Sequence, residues 1–181
     1  MRNIVYYVAS SLDGCIAGPN GDISLFEHHE PLVTHYMAEL EAFDTVIMGR
    51  STYEFGYQYG LKPGQPAYAH MQHYIYSNTL SFEEPHEQVH ALAPDLDHIR
   101  QLKEEEGTDI YLCGGGMFAG WLLDHGLIDV LKVKLNPILL GNGIPLFGQS
   151  QTALPLTWRE KTDFGKGFFL LTYLLKTPRN R

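Results

Sequence analysis

The sequence predicts an α/β domain built on one mixed, mostly parallel sheet with helices on both faces. Three observations lead there. Between residues 45 and 125, short apolar strand-like runs alternate with helix-like runs, as parallel strands joined by crossovers require. Two of those strands stop at glycine, at Gly49 and Gly114, each just before a helical pattern. Beyond residue 129 the remaining runs are strand-like, and Gly165 and Gly167 sit near a tight turn, so the C-terminal edge should be an antiparallel hairpin.

Each element follows from local pattern. Asn3–Ser10 is an apolar run suited to a buried strand, and Ser11–Glu30, with Gly14, Gly18, Pro19 and Gly21, reads as a long loop. Pro31–Phe43 sets Leu32, Tyr36, Met37, Leu40 and Phe43 at helical spacing behind a leading proline, and strand Thr45–Met48 follows. Ser51–Phe55 is a short helix, and Tyr74–Ser77 and Val89–Ala91 are brief strands beyond a Gly/Pro-rich loop. Pro94 and Asp95 open and cap a helix over Asp95–Glu106, which Gly107 closes. Strand Asp109–Cys113, glycine turn Gly114–Gly116 and helix Met117–His125 come next, then strands over Asp129–Leu140, Thr157–Asp163 and Gly167–Lys176.

At 181 residues, 44% of them hydrophobic, the chain suits one core, so a single domain over residues 1–181 is expected. A formal charge of -8 repels phosphate backbones and anionic lipid alike, which argues against nucleic acid and membrane partners and leaves a small molecule as the expected one. No apolar run approaches the ~20 residues of a membrane span, and the start carries no signal-like stretch, so a cytoplasmic protein is expected. Cys15 and Cys113 are far apart among apolar or small neighbours, which fits buried thiols better than a disulfide, and no clustered ligands suggest a metal.

Three strand ends could hold a dinucleotide phosphate, because helix starts beyond parallel strands present free N–H groups to anions. At Gly114-Gly115-Gly116-Met117-Phe118, three glycines let the main chain approach a pyrophosphate, and three are more than a turn needs. At Gly49-Arg50-Ser51-Thr52, the only Lys or Arg between Arg2 and Lys62 stands beside two hydroxyls and could pair with a 2′-phosphate; the plainer reading is a surface ion pair with Glu54. Ser77 and Asn78 form a polar tip after an apolar strand, a weaker signal that ordinary turns also give. The spacing of Gly114, Gly116 and Gly120 loosely imitates a Rossmann fingerprint, but it comes late in the chain, and the following strand carries Lys132 and Lys134 rather than an acidic end.

Taken together, Ala9-Ser10-Ser11-Leu12-Asp13-Gly14, Met48 to Glu54, Gly114 to Phe118 and Asn136 to Phe147 resemble the dihydrofolate-reductase-like fold. More closely they resemble the riboflavin-biosynthesis reductases, the RibD C-terminal domain family. The resemblance covers nearly the whole chain and implies a three-layer fold, NADPH as cofactor and a homodimer. It implies that the main chain at Ala9 and Ile16 meets the nicotinamide carboxamide and that Gly49, Arg50, Ser51 and Thr52 contact phosphate. Ser77 and Asn78 would lie by the adenosine phosphate, and Gly114, Gly115, Gly116, Met117 and Phe118 would hold the pyrophosphate.

The chain also departs from its relatives' patterns. Val33 falls where dihydrofolate reductases place a pterin-binding carboxylate, and Met71 where they place a folate-binding arginine, so folate is disfavoured. Tyr53-Glu54-Phe55-Gly56-Tyr57 replaces an acidic Asp-Asp-Pro segment of the riboflavin-pathway enzymes, which disfavours a phosphoribosylaminopyrimidine. Candidate acids are Asp13, in the loop after the first strand, and Glu30, at the start of the first helix. For both, a turn or capping role is the weightier reading. His28 and His29 could carry protons, though the nine histidines, scattered without ligand spacing, read as surface groups. The Tyr53–Tyr59 aromatics suit stacking on a planar substrate or plugging the core, and Lys132, Lys134 and Asn136 share one strand face that lines a pocket or meets water. The expected activity is hydride transfer from NADPH to a C=N or C=O bond of a small heterocyclic or nucleotide-like substrate, similar to dihydrofolate reductase and 5-amino-6-(5-phosphoribosylamino)uracil reductase. The alternative is a non-catalytic NADP- or flavin-binding protein.

Overall fold

Strand β1 (Ile4–Ser10) is apolar on both faces because both are covered, and six of its seven residues are buried. It occupies the middle of an eight-stranded sheet whose order is β5-β4-β3-β6-β1-β7-β10-β9. The computed structural model describes residues 1–175. Its other strands are β2 (Cys15–Ala17), β3 (Thr45–Gly49), β4 (Gln72–Tyr76), β5 (Val89–Leu92), β6 (Ile110–Gly114), β7 (Val130–Leu135), β8 (Ile144–Pro145), β9 (Leu156–Asp163) and β10 (Phe169–Leu175). Helices α1 (Glu30–Leu40), α2 (Arg50–Phe55), α3 (Leu96–Glu104) and α4 (Gly116–Asp124) join them. From β5 to β7 every pairing is parallel, while β10 runs antiparallel to both β7 and β9.

Alternation along β1 splits the core into two layers. Ile4, Tyr6 and Val8 pack with Ile99 and Leu102 of α3 and Leu122 and Leu123 of α4. Val5 and Tyr7 face the other way, with Val46, Met48 and Tyr111, against Leu32 and Leu40 of α1 and Tyr53 of α2. Each such side chain, fully buried, contributes about 1.5–3 kcal/mol. At the strands' amino ends, buried Arg2 pairs with Asp44 and donates to Thr45 Oγ1 at 2.8 Å, clamping β1 to β3. Asp95 caps α3 as its position suggests, accepting from the Asp97 and His98 amides.

Several expectations are corrected. Residues 11–30 contain β2, which pairs antiparallel with β8; two and three residues are too few for periodicity to reveal. The strand expected over Asp129–Leu140 ends at Leu135, before Asn136-Pro137, since proline lacks the donor that would continue a ladder. Gly116 lies inside α4 rather than in the preceding turn. His73 is no surface group: it is 0% exposed, accepting from the Tyr68 amide through Nε2 while Nδ1 meets the Met71 carbonyl. Half-buried His29 stacks on Phe168 at 4.3 Å between ring centroids. Tyr53 plugs the core at 1% exposure, its hydroxyl on the Gln65 carbonyl at 2.6 Å. Lys176, expected to end the last strand, lies outside the described residues.

Candidate active site

The carboxyl ends of β3 and β6 are neighbours, but their chains leave in opposite directions. β3 runs into α2, whose Tyr53 packs on the α1 side, whereas β6 runs into α4 on the opposite side. Diverging exits of this kind open a crevice at the sheet edge, the place where open α/β sheets hold ligands. A cavity of about 900 Å³ occupies it, within the ~300–1,000 Å³ usual for small-molecule sites.

Backbone geometry builds one wall. Gly114 has φ +140° and Gly115 has φ +53° with ψ 136°, conformations that a side chain would strain. A Cβ on Gly115 would stand 2.9 Å from Thr52 Oγ1, and one on Gly116 would collide with the Pro145 carbonyl oxygen. Gly115 precedes α4 with no side-chain cap, so the nine-residue helix turns its first N–H groups toward the cavity that Gly115, Gly116 and Met117 line. Across the crevice, a Cβ on Gly49 would lie 3.2 Å from the Phe118 Cβ, so the absence of a side chain there lets β3 approach α4.

The opposite wall carries the charge. Arg50 lines the cavity while its Nε donates to Glu54 Oε1 and its Nη1 to Thr79 Oγ1, both at 2.8 Å. The ion pair with Glu54 therefore coexists with a guanidinium at the cavity rim. Ser77 Oγ accepts from the Thr79 and Leu80 amides at 3.1 Å each, which fixes the turn at the end of β4. Tyr76, Phe118 and Trp121 form a ladder along one side, with ring centroids 5.1 and 5.8 Å apart and interplanar angles of 21° and 25°.

All thirteen residues proposed to bind the cofactor line this one cavity: Ala9, Ile16, Gly49, Arg50, Ser51, Thr52, Ser77, Asn78 and Gly114 through Phe118. The candidate acids do not. The Asp13 carboxylate accepts from Ser11 Oγ at 2.5 Å and from the Leu140 and Gly141 amides at 3.1 and 2.7 Å, and these bonds hold it below the usual carboxylate range. It latches the loop after β1 to the loop after β7. Glu30 is exposed at the start of α1, bonded to His28 and Thr34, which likewise hold its pKa down. No aspartate or glutamate is among the lining residues. Sequence reasoning missed Tyr76, Cys113 and Trp121 as lining groups. The three-residue step from Phe118 to Trp121 on one helix was the available signal for Trp121.

Behind Cys113, on the α1 side, lies a cluster of phenols. Tyr68 Oη stands 3.6 Å from Cys113 Sγ, and Tyr36 Oη meets Tyr111 Oη at 2.6 Å. Burial raises the pKa of Tyr36, Tyr68 and Tyr111 and of the Cys113 thiol, so all four are neutral hydrogen-bonding groups at neutral pH. Neither cysteine is in a disulfide. No helix among the described residues is long and apolar enough to cross a membrane.

Comparison with known proteins identifies the fold and the family. The profile of the RibD C-terminal domain family matches residues 2–170. The uncharacterized protein YwjB of Bacillus subtilis (strain 168) is 31% identical over 168 residues, spanning 91% of this chain and 94% of its own. A Shewanella sp. PV-4 protein named for riboflavin biosynthesis superposes with a TM-score of 0.80 at 28% identity, over 98% of this chain and 100% of that one. Dihydrofolate reductase of Enterococcus faecalis, solved with NADP(H), superposes with a TM-score of 0.61 over 97% of both chains at 15% identity, a likeness of fold alone. The chain thus has the dihydrofolate-reductase-like fold and belongs to the RibD C-terminal domain family.

Proposed function

We propose that this chain is an NADPH-dependent reductase acting on a C=N or C=O bond of a small heterocyclic or nucleotide-like substrate. One observation carries the reading: a single cavity joins the uncapped start of α4, the Arg50 turn and the main chain around Ala9 and Ile16. Those are the three kinds of group that a phosphorylated pyridine dinucleotide needs. The glycine turn and the first amides of α4 suit the pyrophosphate, since Gly115 has no Cβ, which would otherwise stand 2.9 Å from Thr52 Oγ1, and so leaves the main chain open to an anion. Arg50, with Ser51 beside it, suits a 2′-phosphate. Bound there, NADPH would supply hydride. The protein's part is to hold the ring against the end of β1, keep water out with Ile16 and the aromatic ladder, and orient the acceptor.

A second reading, a nucleotide-binding protein without catalysis, draws on the absence of any acidic residue in the cavity lining. NADPH oxidation across a panel of pterins and pyrimidines separates the two, and a yellow protein would indicate flavin instead. The direct test of the reductase reading is titration calorimetry with NADPH and NADH on the wild type and on Arg50→Ala. Losing a charge-assisted contact of ~1.5–3 kcal/mol weakens NADPH roughly 10- to 150-fold and leaves NADH nearly unchanged. Absence of NADPH binding heat and of thermal stabilisation in the wild type overturns the reading.

A further inference from the structure

Of the Lys and Arg side chains among the described residues, those withdrawn from solvent are Arg2, Lys103, Lys132 and Lys134. Arg2 pairs with Asp44, Lys103 with Asp129 at 2.5 Å, and Lys132 with Glu39, which also accepts from Tyr7 Oη at 2.6 Å. Lys134 has no such counter-charge among the described residues. Its ammonium lies 3.1 Å from the centre of the Tyr36 ring and 5.4 Å from that of Tyr7. Rings soften the loss of water but do not neutralise a charge, and burial accordingly lowers its pKa to about 8. A half-buried cation with no counter-charge among the described residues is unfavourable for the fold alone and calls for a partner that those residues do not supply.

Its position says where that partner binds. Lys134 is the register neighbour of Ala9, so both side chains leave the same face of the sheet, the α1 face that also carries Cys113. Ala9 and Cys113 line the cavity. Lys134, Tyr36 and Tyr68 are not lining residues themselves; Lys134 beside Ala9, over the Tyr36 ring, and Tyr68, with its Oη 3.6 Å from Cys113 Sγ, stand behind those two lining residues, on the side away from α4.

We propose that Lys134 recognises the substrate, a planar ring presenting an anionic oxygen to the ammonium, with the phenols of Tyr36 and Tyr68 completing its hydrogen bonds. This assignment rests on the reductase reading, which puts the nicotinamide at the end of β1.

The test uses two probes of one shape, orotate and 6-methyluracil, which differ in a carboxylate against a methyl group. NADP+ is first titrated by the fluorescence of Trp121, which lines the cavity, against the constant background of Trp158 on β9. Orotate and 6-methyluracil are then titrated by calorimetry with NADP+ saturating. The wild type is expected to prefer orotate by roughly tenfold or more, Lys134→Arg to keep most of the preference and Lys134→Met to lose it, with NADP+ affinity kept within about twofold in both variants. Should Lys134→Met fold poorly, wild-type protein labelled with 15N at lysine Nζ answers instead, since orotate must move the Lys134 resonance. NADP+ binding with equal affinity for the two probes, or a preference that survives Lys134→Met, overturns the assignment and leaves the cofactor reading standing; Lys134 is then a core cation held by Tyr36 and Tyr7. Failure of NADP+ to bind the wild type overturns both.

Discussion

Replacing Gly115 by alanine isolates the most particular feature of the cavity, a main-chain conformation imposed on one residue. At φ +53° and ψ 136° an L side chain is strained, by ~1–3 kcal/mol, wherever its Cβ points. The Cβ also arrives 2.9 Å from Thr52 Oγ1, so the hydroxyl must rotate or the turn must move. Together these effects set an expected loss of about 2 kcal/mol, or roughly 4–8 °C in Tm for a domain of this size. Thr52→Ala in the same chain removes the close contact but not the strain, so the double variant recovers only part of the loss. A control separates strain from binding. Gly141 also has positive φ, +65°, yet nothing lies within 4 Å of its Cβ direction, and it is not a lining residue. Gly141→Ala should lower Tm without touching cofactor affinity, whereas Gly115→Ala should weaken NADPH by about tenfold or more, because the methyl group enters the phosphate cradle and the amides turn away. Thermal denaturation and calorimetry measure both quantities. NADPH affinity unchanged in Gly115→Ala, or lowered equally in Gly141→Ala, refutes the reasoning.

Further expectations concern pH and the loop latch. Burial lowers the pKa of His73 to about 4, so the unfolded chain takes up a proton near pH 6.5 that the folded chain refuses. The stability His73 contributes is whole above pH 6.5 and drains away between there and about pH 4, by ~3 kcal/mol. Urea denaturation in that window should show the acid limb, and His73→Gln should flatten it; an identical slope in the variant contradicts this account. Asp13 is depressed too, through its bonds to Ser11, Gly141 and Leu140, so its contribution is present above the ordinary carboxylate value and is lost as pH falls through the lower folded one. Asp13→Ala should therefore speed hydrogen exchange at the Leu140 and Gly141 amides at neutral pH and make little difference in strong acid. Unaltered exchange at both pH values would show that the latch is idle.

The sequence by itself determined most of the frame and, through resemblance, singled out thirteen residues that line one cavity. Runs such as Ile4–Ser10 and Ile110–Gly114 carry their strand character in their own residues, and three consecutive glycines signal a backbone that must go where side chains cannot. Those signals are local, so they can be read in one dimension. The β2–β8 ladder, the burial of His73, the latch at Asp13 and the isolation of Lys134 could not be. Each depends on partners far along the chain: Leu140 lies 127 residues from Asp13, and Tyr36 meets Lys134 only because α1 lies over β7. A lysine on an alternating strand reads the same whether it faces water, a carboxylate or an aromatic ring. Only the packing of one helix on the sheet decided which, because the charge of a side chain is written in the sequence while its solvation is set by its neighbours in space.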